Sequence, residues 1–235
     1  MFDDRLDKLN EECGVFGIYA PNHPVSELIY LGLFSLQHRG QEGCGMAVGN
    51  GKKIDYYKNL GLVSDVFSQS ILDGLHGHLG IGHVRYSTTG ENSQLNTQPV
   101  VARYQRGQIA LAHNGNLTNA AELRNYLMEH GSLFQTTIDT EQIVGLLALH
   151  GQDDMEQAML KAMIDLKGSY ALVIMSEDKL YAVRDPYGNR PLCIGKLGED
   201  GYVVASESCA LDAVGATFLR DVAPGEIITI DEKGL

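Results

Sequence analysis

Apolar positions along the chain recur with two different periods. Val25, Leu28, Ile29, Gly32, Leu33 and Leu36 follow spacings of three and one, a single helical face, with Gly40 as a stop signal. Met155, Ala158, Met159, Ala162, Met163 and Leu166 repeat the pattern, entered through Asp153 or Asp154 and closed by Gly168. A methionine stripe at helical spacing reads as core packing rather than as a cofactor surface. Weaker helical patterns cover about 117–130, ended by Gly131, and about 140–150. Between them lie short apolar, β-branched or aromatic runs that predict strands: CGVFGIYA, GMAVG, KIDYYK, GIGHVRY, IALAH, YALVIM, KLYAV, YVVAS and EIITI. Turn sequences such as DPYGNRP and GEDG join the later runs, as antiparallel hairpins require. Strand pairs separated by helix pairs, without regular βαβ alternation, give an α+β class. Runs apolar on both faces need cover on both sides, which suits stacked sheets between helix layers. No linker divides the chain, so one domain is expected.

Composition narrows the function more than the fold. The 235 residues are 44% hydrophobic and 20% charged, globular values far from the disordered regime. With 18 basic and 30 acidic residues the formal charge is -12, and no basic patch offers a nucleic-acid backbone a partner. The start MFDDRLDKLNEE is charged and lacks a signal-peptide core, and no apolar run approaches the roughly 18 residues of a membrane helix. Cysteines 13, 44, 193 and 209 have no CxxC spacing, which favours a reduced, cytoplasmic setting.

Several motifs admit a structural reading. GNGKK at 49–53 lacks phosphate-loop spacing and reads as a β-turn. His76, His78 and His83 have no carboxylate or cysteine at ligand spacing, so no metal site is expected. Cys193 and Cys209 read as inert core thiols. Three stretches hold more polar chemistry than a fold needs: GHVRYSTTG at 82–90, AHNGN at 112–116 and TTIDTE at 136–141. Each also has a plain reading, with Arg85 in a surface ion pair, Asn114-Gly115 as a turn and Asp139 as a helix N-cap. Together with Cys13 they form a set that an amino-acid amide substrate would use. A guanidinium holds an α-carboxylate, a carboxylate an α-ammonium, and a side-chain amide with a backbone N–H a developing oxyanion.

The stretches CGVFGIYA, SLQHRGQEG, GLVSDVF, GIGHVRYSTTG, LAHNGNLTNAAELR, TTIDTE, GSYALVIM, RDPYGNRPL and VVASES resemble the glutaminase domain of class II glutamine amidotransferases over about residues 10–232. Within that family they look most like the phosphoribosylpyrophosphate amidotransferases of purine biosynthesis. Sister enzymes such as glucosamine-6-phosphate synthase typically carry Trp where this chain has Tyr86, and the chain has no Trp.

The resemblance implies an N-terminal-nucleophile fold, a four-layer αββα sandwich with two stacked, mostly antiparallel sheets. It implies a propeptide at 1–12, cleaved before Cys13, and a glutaminase domain at 13–235. The α-amine of Cys13, titrating near ~7.7–8 when free, would then serve as the base for its own thiol. By the same resemblance, Cys13 attacks glutamine, and Asn114 and Gly115 form the oxyanion hole. Arg85 with Thr88 holds the α-carboxylate, Asp139 the α-ammonium, and Arg39 and Gly40 shape the surroundings of Cys13. Cys44 falls where relatives more often have a small residue. The expected partners are L-glutamine and a C-terminal phosphoribosyltransferase domain as ammonia acceptor, in a homo-oligomeric enzyme without nucleic acid or membrane contacts. No cofactor is expected in this domain. Mg²⁺, and in some relatives an iron–sulfur cluster, belong to a C-terminal half whose signature this sequence lacks. Alternative readings are the glutaminase of another class II synthase, a catalytically silent regulatory module of the same fold, and a Cys–His peptidase, for which no His stands in a matching motif.

Overall fold

A computed structural model of the chain describes residues 13–86, 93–151 and 154–235. The expected propeptide, Thr88 and Asp153 lie outside the described residues. The strands of the first part are β1 (Gly14–Tyr19), β2 (Gly43–Gly49), β3 (Ile54–Leu60), β4 (Leu79–Arg85), β5 (Val100–Tyr104) and β6 (Gly107–Leu117). Those of the second part are β7 (Gly168–Met175), β8 (Leu180–Arg184), β9 (Cys193–Leu197), β10 (Gly201–Ala205), β11 (Thr217–Asp221) and β12 (Ile227–Ile230). Four longer helices are α1 (Val25–Ser35), α4 (Ala120–Glu129), α5 (Thr140–His150) and α6 (Met155–Asp165). Three short ones are α2 (Val63–Val66), α3 (Gln69–Leu72) and α7 (Ser208–Ala213).

The described strands form two sheets, ordered β11-β9-β10-β1-β4-β2-β3 and β12-β8-β7-β6-β5, and every described pair is antiparallel. The sheets face each other through Val15, Ile81, Ala112, Val173 and Ala182, small or branched side chains that let the layers come close. The outer face of the first sheet packs on α1 and α7 through Phe16, Val84, Ile29, Leu33 and Leu211. Helix and sheet approach closely there: a Cβ at Gly32 would collide with the Phe16 ring. The outer face of the second sheet packs on α5 and α6 through Leu111, Leu172, Ile143, Leu147 and Met159. The result is the expected α+β, four-layer αββα arrangement. Among the described residues no helix is long and apolar enough to cross a membrane.

The helical periods at 25–36, 140–150 and 155–166 become α1, α5 and α6, and Asp154 caps α6 by accepting from Glu156 N–H at 3.2 Å. The 49–53 turn closes the β2–β3 hairpin with Asn50 Oδ1 accepting from both Lys52 and Lys53 N–H at 3.1 Å. An expectation is overturned here. Asn114-Gly115 is not a turn: β6 runs unbroken through it, with Asn114 opposite Ala171 and Gly115 opposite Tyr170. Gly115 has φ +151°, and a Cβ there would strike the Ser169 carbonyl oxygen. The pairing with β7 overrides the local turn signal, and glycine makes that conformation accessible.

Candidate active site

Strand alternation brings the polar residues to one end of the space between the sheets. Val15 of β1 and Leu79 and Ile81 of β4 face the second sheet, so Cys13, His83 and Arg85 point the same way by the two-residue period. Cys13 and Arg85 stand one residue beyond the Gly14–Val84 pair of the β1–β4 ladder. On β6, Ala110 and Ala112 face the first sheet, which places Asn114 toward the same space. His113 alternates to the other face, toward α5.

The thiol of Cys13 lies against the backbone of Tyr86, just past β4. Sγ–H donates to the Tyr86 carbonyl and Tyr86 N–H donates to Sγ, both at 3.4 Å. Burial pushes the thiol pKa above its ordinary value, and the Tyr86 N–H and Arg85 guanidinium offset this only in part. Cys13 is therefore a neutral thiol near pH 7 and needs a base to react. The described hydrogen bonds of its thiol involve the Tyr86 backbone and no imidazole.

The flanks of Cys13 are held from two directions. Arg39 Nε donates to the Cys13 carbonyl at 3.1 Å, and Arg39 Nη1 pairs with Glu207 Oε1 at 2.5 Å. Val15 N–H donates to Ser206 Oγ at 2.9 Å, and Ser206 N–H to the Val15 carbonyl at 3.0 Å. Gly40 packs on the strand end itself: a Cβ there would come within 2.6–2.8 Å of the Arg85 N, C and O atoms. Arg85 is buried, 3% exposed, not the surface ion pair of the plain reading.

Asp139 occupies the N-cap position of α5, yet its side chain makes no capping bond. Instead Oδ2 accepts from Leu117 N–H at 2.9 Å and Oδ1 lies 3.4 Å from His113 Nδ1. Burial raises its pKa, but the His113 ring and the Leu117 N–H outweigh it and hold Asp139 below the ordinary carboxylate value, ionised at neutral pH. It lines a groove of about 410 Å³ with Thr137, Asn116 and Arg124. The larger groove, about 480 Å³ between β5 and α5, contains none of the expected site residues.

Asn114 is 1% exposed, and its Nδ2 has no hydrogen-bond partner among the described residues. A buried amide donor left unpaired costs about 1–3 kcal/mol, and such an orphan on the strand face that looks toward Cys13 and Arg85 is suited to a ligand oxygen. Cys44 takes no part. It faces the outer cluster, fully buried, with a thiol that burial pushes up to about 12. Sequence reasoning missed Glu207, Ser206, His113 and the Tyr86 backbone. Only the polar pair in ASES carried a signal, because the other contributions come from main-chain atoms or from long-range pairing.

Residues 83–213 match the family described as "Glutamine amidotransferase domain". The chain is similar to the amidophosphoribosyltransferase of Mycobacterium tuberculosis, 48% identical over 241 residues, covering 99% of this chain and 45% of that protein. It is also similar to the Bacillus subtilis amidophosphoribosyltransferase, 47% identical over 232 residues, 98% of this chain and 48% of that one. The solved structure of glutamine phosphoribosylpyrophosphate amidotransferase from B. subtilis, complexed with ADP and GMP, superposes with a TM-score of 0.88 at 46% identity. That match covers 94% of this chain and 48% of that one. The chain thus spans about half the length of the curated relatives it matches.

Proposed function

The chain belongs to the glutamine amidotransferase domain family, and from that premise we propose that it hydrolyses the side-chain amide of glutamine with Cys13 as nucleophile. The ammonia would serve phosphoribosylamine formation by a phosphoribosyltransferase partner of the kind its amidophosphoribosyltransferase relatives contain, in the cytoplasm and within a homo-oligomeric enzyme. The observation that carries the reading is the buried Nδ2 of Asn114, without a partner among the described residues and, by strand alternation, on the face that looks toward Cys13 and Arg85.

Removal of residues 1–12 turns the Cys13 amide nitrogen into an amine near pKa ~7.7–8, a base that takes the Sγ–H proton. Sγ attacks the amide carbon of glutamine. The oxyanion formed is held by Asn114 Nδ2 and the Gly115 N–H, a pairing worth more here than in water because Asn114 is buried. The ammonium of Cys13 then returns the proton to the leaving nitrogen, ammonia departs and a γ-glutamyl thioester remains. Water, deprotonated by the same amine, cleaves it to glutamate. Arg85, with Thr88, holds the α-carboxylate and Asp139 the α-ammonium. Arg39 and Gly40 fix the carbonyl side of Cys13 and the end of β4.

The test compares ammonia release by the uncut chain, the chain starting at Cys13, and its Cys13→Ala variant. Hydrolysis by the cut chain alone is expected. Equal activity of the uncut chain would refute the amine as base, and activity in Cys13→Ala would refute the nucleophile.

A further inference from the structure

The segment 94–99 is tied to both halves of the site. It is anchored on the first sheet. Lys58 of β3 donates through Nζ to the carbonyl of Thr97 at 2.5 Å and to those of Leu95 and Pro99 at 3.4 Å. Gln94 Nε2 returns a bond to the Lys58 carbonyl at 3.1 Å. Two glycines of β2 make room for it: a Cβ at Gly45 would strike the Gln98 carbonyl, and one at Gly43 would lie 3.1 Å from Thr97 Oγ1.

From this anchored segment two side-chain amides reach across to the second layer. Gln98 is buried, and its Oε1 accepts from His113 N–H at 2.7 Å while its Nε2 donates to the His113 carbonyl at 3.4 Å. The β5–β6 ladder ends at Val100 opposite Leu111, so Gln98 supplies His113 with the pairing a neighbouring strand would otherwise give. Asn96 makes an equivalent pair of bonds to Thr137. Its Nδ2 donates to Thr137 Oγ1 at 2.9 Å and its Oδ1 accepts from Thr137 N–H at 3.1 Å. His113 directly precedes Asn114, and Thr137 stands two residues before Asp139.

We infer that segment 94–99 is a brace with two separable arms, in which Gln98 positions the oxyanion donors of Asn114-Gly115 and Asn96 positions the ammonium-binding carboxylate of Asp139. Both are positioning residues, since they act through His113 and Thr137. The physical ground is that catalytic donors must be held within a fraction of an ångström, and a shift of about 1 Å can cost on the order of 10²-fold. Because the two arms end on groups with different tasks, their loss should appear in different constants. The inference rests on the roles proposed above for Asn114 and Asp139.

The test is steady-state glutamine hydrolysis by the full chain processed to Cys13, with Gln98→Met, Thr137→Val and Asn114→Ala measured together. Gln98→Met keeps the length of the side chain and removes both bonds. It should lower kcat about tenfold with KM within about twofold. Thr137→Val keeps the shape and removes the acceptor for Asn96 Nδ2. It should raise KM several-fold with kcat little changed. If Gln98→Met gives no folded protein, Gln98→Glu retains the acceptor for His113 N–H and should show the same kcat-selective loss at smaller size. Equal changes in kcat and KM in both variants, tracking a lowered Tm, would mean that the segment is only structural and would overturn the inference. An unimpaired Asn114→Ala would instead overturn the oxyanion assignment, and the brace with it.

Discussion

Protonation of His83 offers a view of the site's interior through stability. The ring is fully buried on β4, and its Nε2 lies 3.2 Å from the His113 carbonyl, to which it donates in the neutral tautomer. Its Nδ1 has no partner among the described residues, so a second proton would place an unpaired charge in a fully buried position. Burial dominates in pushing its pKa from 6.5 to about 3. The His113, Arg85 and Lys58 charges act in the same direction, and the bond to the His113 carbonyl opposes them. The unfolded chain takes up this proton near 6.5 and the folded chain only near 3. Between those values the unfolded state binds more protons, and stability falls as pH falls. At about 1.36 kcal/mol per pKa unit, this one group should remove about 2–3 kcal/mol between pH 7 and pH 4.5. Asp139 has a depressed pKa, so its contribution is lost only below the ordinary carboxylate range, and stopping at pH 4.5 separates the two. The perturbation is His83→Gln, whose amide can still donate to the His113 carbonyl and does not titrate. Urea unfolding followed by far-UV circular dichroism at pH 7 and 4.5 should show a wild-type loss about 2–3 kcal/mol larger than that of the variant. Parallel losses would refute the claim that His83 is held neutral by burial.

Asn114→Ala should lower kcat for glutamine hydrolysis by ~10²–10³ with KM little altered, and an intact kcat would contradict the oxyanion role. Asp139→Asn and Arg85→Ala should each act mainly on KM; a loss confined to kcat would show that they do not bind the substrate's α-groups. Gly115→Ala should cost about 1–3 kcal/mol for the backbone conformation, with further loss from the collision at Ser169. A calorimetric Tm equal to wild type would refute that reading.

Much of the architecture was legible because burial imposes period. α1, α5 and α6 each bury one face, and the strands between the sheets are apolar on both sides. Elements without that constraint were not readable. β11 is exposed at all five residues, and α2, α3 and α7 are too short for a helical period to show. Leu117 reads as the start of a helix but ends β6, because Gly168 pairs with it from β7. The site divided in a similar way. Side chains with matching chemistry, Cys13, Arg85, Asn114 and Asp139, were visible as residue types. The misread turn at Asn114-Gly115 and the unforeseen pairing of Asp139 with His113 depend on strand register and layer packing, which local sequence does not encode.

The most direct measurement of the central claim is the intact mass of the purified chain before and after diazo-oxo-norleucine, an electrophilic glutamine mimic. The account predicts loss of residues 1–12 and a single adduct that peptide mapping places on Cys13. A cut chain that takes no adduct, or an adduct placed on Cys44, Cys193 or Cys209 instead, would contradict it.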